Sequence, residues 1–300
     1  MRRLFSADEI EKQAKDIYDD TDELKSLVEE FLNQDSIIGS PSGFHNLAIS
    51  CSKNDDDENA CIILEKGLEL YPNNVDLLAD YIQYGVNCNR NEECSYYFSK
   101  LKSIPKSKWT WRGFSFSIDY LIRCADDIIE ENELIEYKKN MLSLADKYIE
   151  IFPKNEDAYI SKSEIFSYFN DTNEEINILL YAIKNIRPCV KTALRYADML
   201  FEAGDYKKAM EIIDRHIISL QTSQLKVSLS YVYYLSGLCK ISLLEGEYSN
   251  KNGEIDDIYK DFYIARENGI GNTYNLVMEK QIRILEIKSG KKYEEIVADL

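Results

Sequence analysis

A spacing of 34 residues recurs along this chain. Segments beginning at Pro41 and Val75, and again at Glu156 and Val190, carry residues of similar size at matching offsets. The first places Phe44, Leu47, Ala48, Cys51, Ala60, Leu64, Gly67 and Pro72 where the second has Leu78, Tyr81, Ile82, Cys94, Phe98 and Leu101, with Pro105 one place early. The Glu156 segment supplies Tyr159, Phe166 and Ala182 and closes on Pro188. In the Val190 segment Ala193, Tyr196, Ala197 and Leu200 form the i, i+3, i+4, i+7 stripe of a helix. Gly204 suits the left-handed conformation that ends a helix, and Asp205 suits the cap of the next. A second stripe, Ala209, Ile212, Ile213 and Ile217, follows. Two short helices joined this tightly must lie antiparallel.

Two other segments fit with insertions. WTWRGFSFSIDYLI takes the same frame with Trp111 at position 4, Phe114 at 7 and Ser115 at 8, and its second helix is delayed until Leu134. YVYYLSGLCKISLLEG places Tyr233 at position 4 and Gly237 at 8, with Phe262 and Ala265 in its second helix. Only 5 Pro and 12 Gly occur in 300 residues, too few for the tight turns of a sandwich or barrel. DEIEKQAKDIY and DELKSLVEEFL read as N-terminal amphipathic helices with Ser6 and Thr21 as caps; YNLVMEKQIRILEIK and YEEIVADL read as closing helices.

These positions resemble the tetratricopeptide signature, W-x2-L-G-x2-Y, then A-x3-F, then Ala and Pro. The resemblance implies an all-α fold: a right-handed superhelical α-solenoid of antiparallel helix hairpins, continuous along the chain. Capping helices are expected at residues 1–36 and 271–300, with about six hairpins between 37 and 270. Solenoid ends are atypical because a polar outer face must shield the last repeat.

A net charge of −17 leaves no basic footprint for nucleic acid, and NDDDEN (54–59) and DDIIEENE (126–133) would repel phosphate and anionic lipid. The NDDDEN run falls at an expected hairpin elbow and lacks the alternating ligands and glycine of a calcium loop. MRRLFSADEIEKQ reaches Asp8 and Glu9 before any apolar stretch forms, so no secretory signal is expected, and no apolar run approaches a membrane span. Seven scattered cysteines, with no C-x-x-C, read as reduced thiols in a cytoplasmic protein without a metal site or cofactor. GSPSG has Pro41 where a nucleophile elbow needs Ser, SGKK lacks P-loop spacing, and His45 and His216 lie far apart, so no catalysis is expected.

Function is expected in the groove. In tetratricopeptide arrays the first helix of each hairpin lines the concave face, chiefly through positions 2, 5, 9 and 12. Carried over, these positions select His45 in the first unit, Asp76 in the second, and Trp109, Arg112, Phe116 and Asp119 in the third. They also select Asp157, then Lys191 and Asp198, then Tyr231 and Tyr234 in the last. Trp109, Arg112 and Phe116 combine aromatic anchors with a guanidinium, as binding hot spots do; Tyr231 and Tyr234 offer a second aromatic surface. Chaperone-binding members clamp a C-terminal carboxylate through Lys and Asn at positions 5 and 9, Asn at 6 of the next repeat, and Lys and Arg at 2 and 6 of a third. Here His45, Ile49 and Asp80 break that pattern; only Lys191 and Arg195 match it and are kept as candidates for an acidic ligand group. The expectation is a non-catalytic adaptor or scaffold binding a protein or peptide, with no nucleic-acid or membrane partner. The alternative is a peptide-responsive regulator that changes conformation and acts on a partner protein.

Overall fold

The computed structural model describes residues 6–16, 21–34, 36–187, 189–216, 226–244 and 252–298. Pro188, Ile217 and the side chains of Thr21 and His216 lie outside the described residues. Two compact units divide the chain, Met1–Asn170 and Asp171–Leu300. The division falls at the elbow of the Glu156 repeat, where no linker composition marks it.

The first unit contains α1 (Ala7–Asp16), α2 (Thr21–Leu32), α3 (Pro41–Ser52), α4 (Asp57–Leu70), α5 (Val75–Asn87) and α6 (Asn91–Ser103). A 3-10 turn at Lys106–Lys108 follows, then α7 (Trp111–Ala125), α8 (Glu131–Ile151) and α9 (Glu156–Tyr168). The second unit contains α10 (Thr172–Asn185), α11 (Val190–Glu202), α12 (Tyr206–His216), α13 (Lys226–Leu243), α14 (Asn252–Glu267), α15 (Asn272–Ser289) and α16 (Tyr293–Val297). Among the described residues the only strand-like pairing is an isolated bridge between Ser6 and Ile38. The fold is an all-α stack of helix hairpins, a tetratricopeptide-like α-solenoid.

Local chemistry sets the starts of the first helices in the first unit. Ser40, Asn74 and Thr110 stand just before α3, α5 and α7, and their side-chain oxygens accept from the backbone N–H of Gly43, Leu77 and Gly113 at 3.1, 3.0 and 3.3 Å. Asn155 does the same before α9, accepting from Asp157 N at 2.9 Å. Each such cap is worth about 1 kcal/mol. Ser6 and Glu9 form a capping box on α1: Ser6 N–H donates to Glu9 Oε2 at 2.9 Å and Glu9 N–H donates to Ser6 Oγ at 3.2 Å.

The elbows repeat as well. Asp55, Asn89, Asn170 and Gly204 have φ of 58°, 59°, 58° and 78°. All four are the fifteenth residue of their repeats. At Asp55, Asn89 and Gly204 this one left-handed residue reverses the chain between the two helices of a hairpin, as the Gly-Asp pair at 204 and 205 suggests. NDDDEN is such an elbow: Asp56 caps α4 by accepting from Asn59 N at 3.2 Å.

The signature positions are the core. Phe44, Leu47, Ala48, Ala60, Leu64, Leu78, Tyr81, Ile82, Cys94 and Leu101 are buried. Gly67 lets α4 approach α3; a Cβ there would stand 2.9 Å from the Phe44 ring.

The third hairpin departs from the expected register. Its cap is Thr110 and its first helical residue is Trp111, so Trp111 occupies position 1 rather than 4. Phe114 then takes position 4, with Ser117 and Ile118 at 7 and 8, all fully buried. The aromatic ring at position 4 decides the register because it must reach the core: Phe114 stacks on Tyr148 of α8 with centroids 5.1 Å apart. In the last hairpin Gly237 keeps its small-residue role, since a Cβ there would meet the Phe262 ring at 2.4 Å.

Candidate functional site

Within the first unit α3 packs on α5, α5 on α7 and α7 on α9, while α4, α6 and α8 have no comparable contact with one another. Helices that converge on one side and spread on the other make a curved layer. The first helices of the hairpins therefore form its inner face.

At the middle of this face lies an ionic cluster assembled from three helices. His45 of α3 hydrogen-bonds Asp80 Oδ2 of α5 through Nδ1. Arg112 of α7 brings Nε to 4.0 Å from Asp80 Oδ1, with its guanidinium 4.4 Å from the centre of the Trp111 ring. Asp80 is 1% exposed, and its Oδ1 receives no hydrogen bond. Burial raises its pKa, against the opposing pull of His45 and Arg112. Beside it Tyr84 is held above the usual phenol range, first by burial and then by the charges of Asp80 and Asp57.

The face continues with more carboxylates. Asp76 accepts from Thr110 Oγ1 at 2.6 Å. Ser115 and Ser161 hydroxyls lie 3.3 Å apart. Asp119 is pushed up to about 6 by burial, with Asp157 adding to the shift and Arg123 opposing it. Asp76, Asp80, Asp119 and Asp157 thus outnumber His45, Arg112 and Arg123. Among the described residues no hydroxyl or thiol hydrogen-bonds the His45 ring, whose Nδ1 is taken up by Asp80. Cys51 and Cys239 are pushed up to about 12 and Cys94 to about 11, chiefly by burial, which keeps these thiols protonated.

The structure separates the residues grouped by sequence. Arg112 belongs to the inner face. Phe116 is half-buried on the same helix, at the repeat position that Asp80 occupies in the preceding hairpin. Trp109 does not join them. It precedes α7, is 3% exposed, donates from Nε1 to the Ile104 carbonyl at 3.1 Å and packs on Phe114 at 5.1 Å. The register shift of three residues is the cause, since position 2 falls on Arg112 once α7 starts at Trp111.

In the second unit Arg195 pairs with the buried Glu175 at 2.8 Å, while Lys191, one turn earlier, is exposed. Glu175 therefore takes up the guanidinium expected to meet an acidic ligand group. Tyr231 donates to Asp198 Oδ1 at 2.9 Å and Tyr234 is 7% exposed. Both rings pack on Tyr274 of α15, at 5.2 and 5.1 Å. Tyr274, placed by sequence among the closing helices, completes this aromatic cluster and is its most exposed member. Asp80 was the other residue that the groove positions passed over. Its spacing of 35 residues from His45 matches the repeat within one residue, and that is the signal that pairs them.

No protein-family model matches the chain, and no curated protein matches it. Solved structures do. A tetratricopeptide repeat protein from Parabacteroides merdae superimposes with a TM-score of 0.55 at 14% identity, covering 93% of this chain and 98% of that one. TTC0263, a thermophilic TPR protein of Thermus thermophilus, gives 0.52 at 11% identity over 68% of this chain and all of its own. The human IFIT1 dimer with PPP-AAAA gives 0.55 at 13% identity over 89% of this chain and 59% of that chain. At these identities the likeness is one of fold.

Proposed function

We propose that this chain is a divergent tetratricopeptide protein that acts as a cytoplasmic, non-catalytic scaffold, holding a peptide segment of a partner protein on the inner face of its first unit. One observation carries this reading: Asp80 Oδ1, buried and without a donor, sits between His45 and Arg112 where three first helices meet. A buried carboxylate oxygen left unpaired costs free energy. A ligand that brings an N–H group, or that moves Arg112 onto Asp80, recovers that cost on binding.

The carboxylates on this face favour a neutral or basic peptide. IFIT1 is seen with PPP-AAAA; Asp76, Asp80, Asp119 and Asp157 make this face a poor host for such a polyanion. Half-buried Phe116 adds apolar contact.

Capture from native lysate with mass spectrometry tests the reading, comparing the wild type with a Phe116→Ala/Asp119→Lys variant of unchanged helicity. A partner retained by the wild type and lost from the variant supports it. The same partners on both proteins would remove the inner face from consideration.

A further inference from the structure

The outer side of the first unit carries a second feature. Where α6 and α8 spread apart, a cavity of about 750 Å³ opens over α7. That volume suits one small organic molecule and is too small for a folded segment of another protein. Its apolar wall includes Phe98, Leu121, Met141 and Leu144, and Trp109 closes one side.

Two lysines stand at that side. Lys106 Nζ lies 3.1 Å from the centre of the Trp109 ring, and Lys102 Nζ lies 4.7 Å from that of Phe98. Among the described residues neither forms an ion pair, whereas several partly buried cations elsewhere in this chain of net charge −17 find carboxylates: Arg90 with Glu58 and Glu65, Arg195 with Glu175, Lys240 with Asp261. The carboxylates lining the cavity are already engaged. Asp146 holds Lys162 at 2.6 Å and Glu150 holds Lys147 at 2.7 Å. The result is a cavity with an apolar wall and two aromatic-backed ammonium groups, its lining carboxylates being paired with other lysines. Burial, reinforced by the neighbouring charge of Lys102, brings Lys106 down to about 8. An anion between the two would relieve both effects.

We propose that this cavity binds a small amphipathic anion, a medium-chain alkyl or arylalkyl carboxylate, with its head on Lys102 and Lys106 and its apolar body against Phe98, Leu121, Met141 and Leu144. The site lies on the opposite side of the hairpin layer from the inner face and does not depend on what that face binds.

The test titrates the full chain with 8-anilinonaphthalene-1-sulfonate and reads fluorescence. Decanoate, decyltrimethylammonium and an acidic-aromatic peptide are then added as competitors. Saturable binding of one probe per chain is expected, displaced by decanoate and not by the ammonium. A Lys102→Gln/Lys106→Gln variant of unchanged helicity should weaken probe and decanoate by about tenfold or more. A Leu144→Trp variant, which fills the cavity without touching charge, should also abolish saturable binding. Probe binding that is absent, equally sensitive to anion and cation, or unaffected by both variants overturns the assignment. Displacement by the peptide and not by decanoate overturns it in favour of a protein partner.

Discussion

Asp55 and Asn89 stand 34 residues apart at the same repeat position, and both hold the left-handed backbone conformation, with φ of 58° and 59°. Each reverses the chain at an elbow that another repeat makes with Gly204 at 78°. Side chains other than glycine are strained there, Asn and Asp least.

Replacing Asn89 by Gly should therefore stabilise the first unit by about 0.5 kcal/mol, the relief of strain exceeding the added freedom of the unfolded chain. Asn89→Ala should destabilise it by roughly 1 kcal/mol. Urea unfolding of the two variants decides the matter, and equal stability for both would mean that the elbow conformation is not retained in solution.

The His45–Asp80 pair makes a different demand. His45→Ala removes the one hydrogen bond to a carboxylate already lacking a donor on its other oxygen. A loss of about 2 kcal/mol is expected, the cost of an unsatisfied buried acceptor. Adding Asp80→Asn to that background removes the buried charge and should recover about half of it. A double variant less stable than His45→Ala would show that Asp80 is stabilised by something other than His45.

Much of this architecture was legible because its determinants are local. Ser40, Asn74, Thr110 and Asn155 each precede a first helix, and the elbows fall at one repeat position. The third hairpin was misplaced by three residues because Trp111 matches the aromatic at signature position 4; counting from the Thr110 cap gives the register the structure adopts. The inner face was legible less well. An aspartate on an amphipathic helix reads as solvated, and what pairs with the buried Asp80 is a histidine 35 residues upstream and an arginine 32 residues downstream. Trp109 looked like a groove anchor for the converse reason: nothing in its neighbours along the chain reveals that Ile104 accepts its indole proton.

Gly237 tests the close approach of α13 and α14. A methyl group there would stand 2.4 Å from the Phe262 ring, and Phe262 is fully buried among Tyr259, Met278 and Leu285 and cannot swing aside. Gly237→Ala should destabilise the second unit by about 1–3 kcal/mol, the range for overpacking a core. Thermal unfolding followed by circular dichroism measures it. An alanine variant as stable as the wild type would mean that the two helices separate at no cost.

Asp119 gives the inner face a pH signature. Burial and Asp157 raise its pKa from 3.8 to about 6, with Arg123 pulling the other way. Between these two values the folded protein holds more protons than the unfolded chain, so the contribution of Asp119 to stability falls as pH rises through that window. Above about 6 the carboxylate is ionised in both states and the folded protein bears the whole cost; below about 4 it is protonated in both and the cost vanishes. Asp119→Asn should therefore exceed the wild type in stability at pH 7, with the difference closing toward pH 4. The displacement from 3.8 to about 6 sets a ceiling near ~3 kcal/mol, and partial exposure reduces the expected gain to on the order of 1–2 kcal/mol. Urea midpoints of both proteins at pH 4, 5.5 and 7 measure it, and a difference that stays constant over this range would show that Asp119 ionises as freely in the fold as out of it.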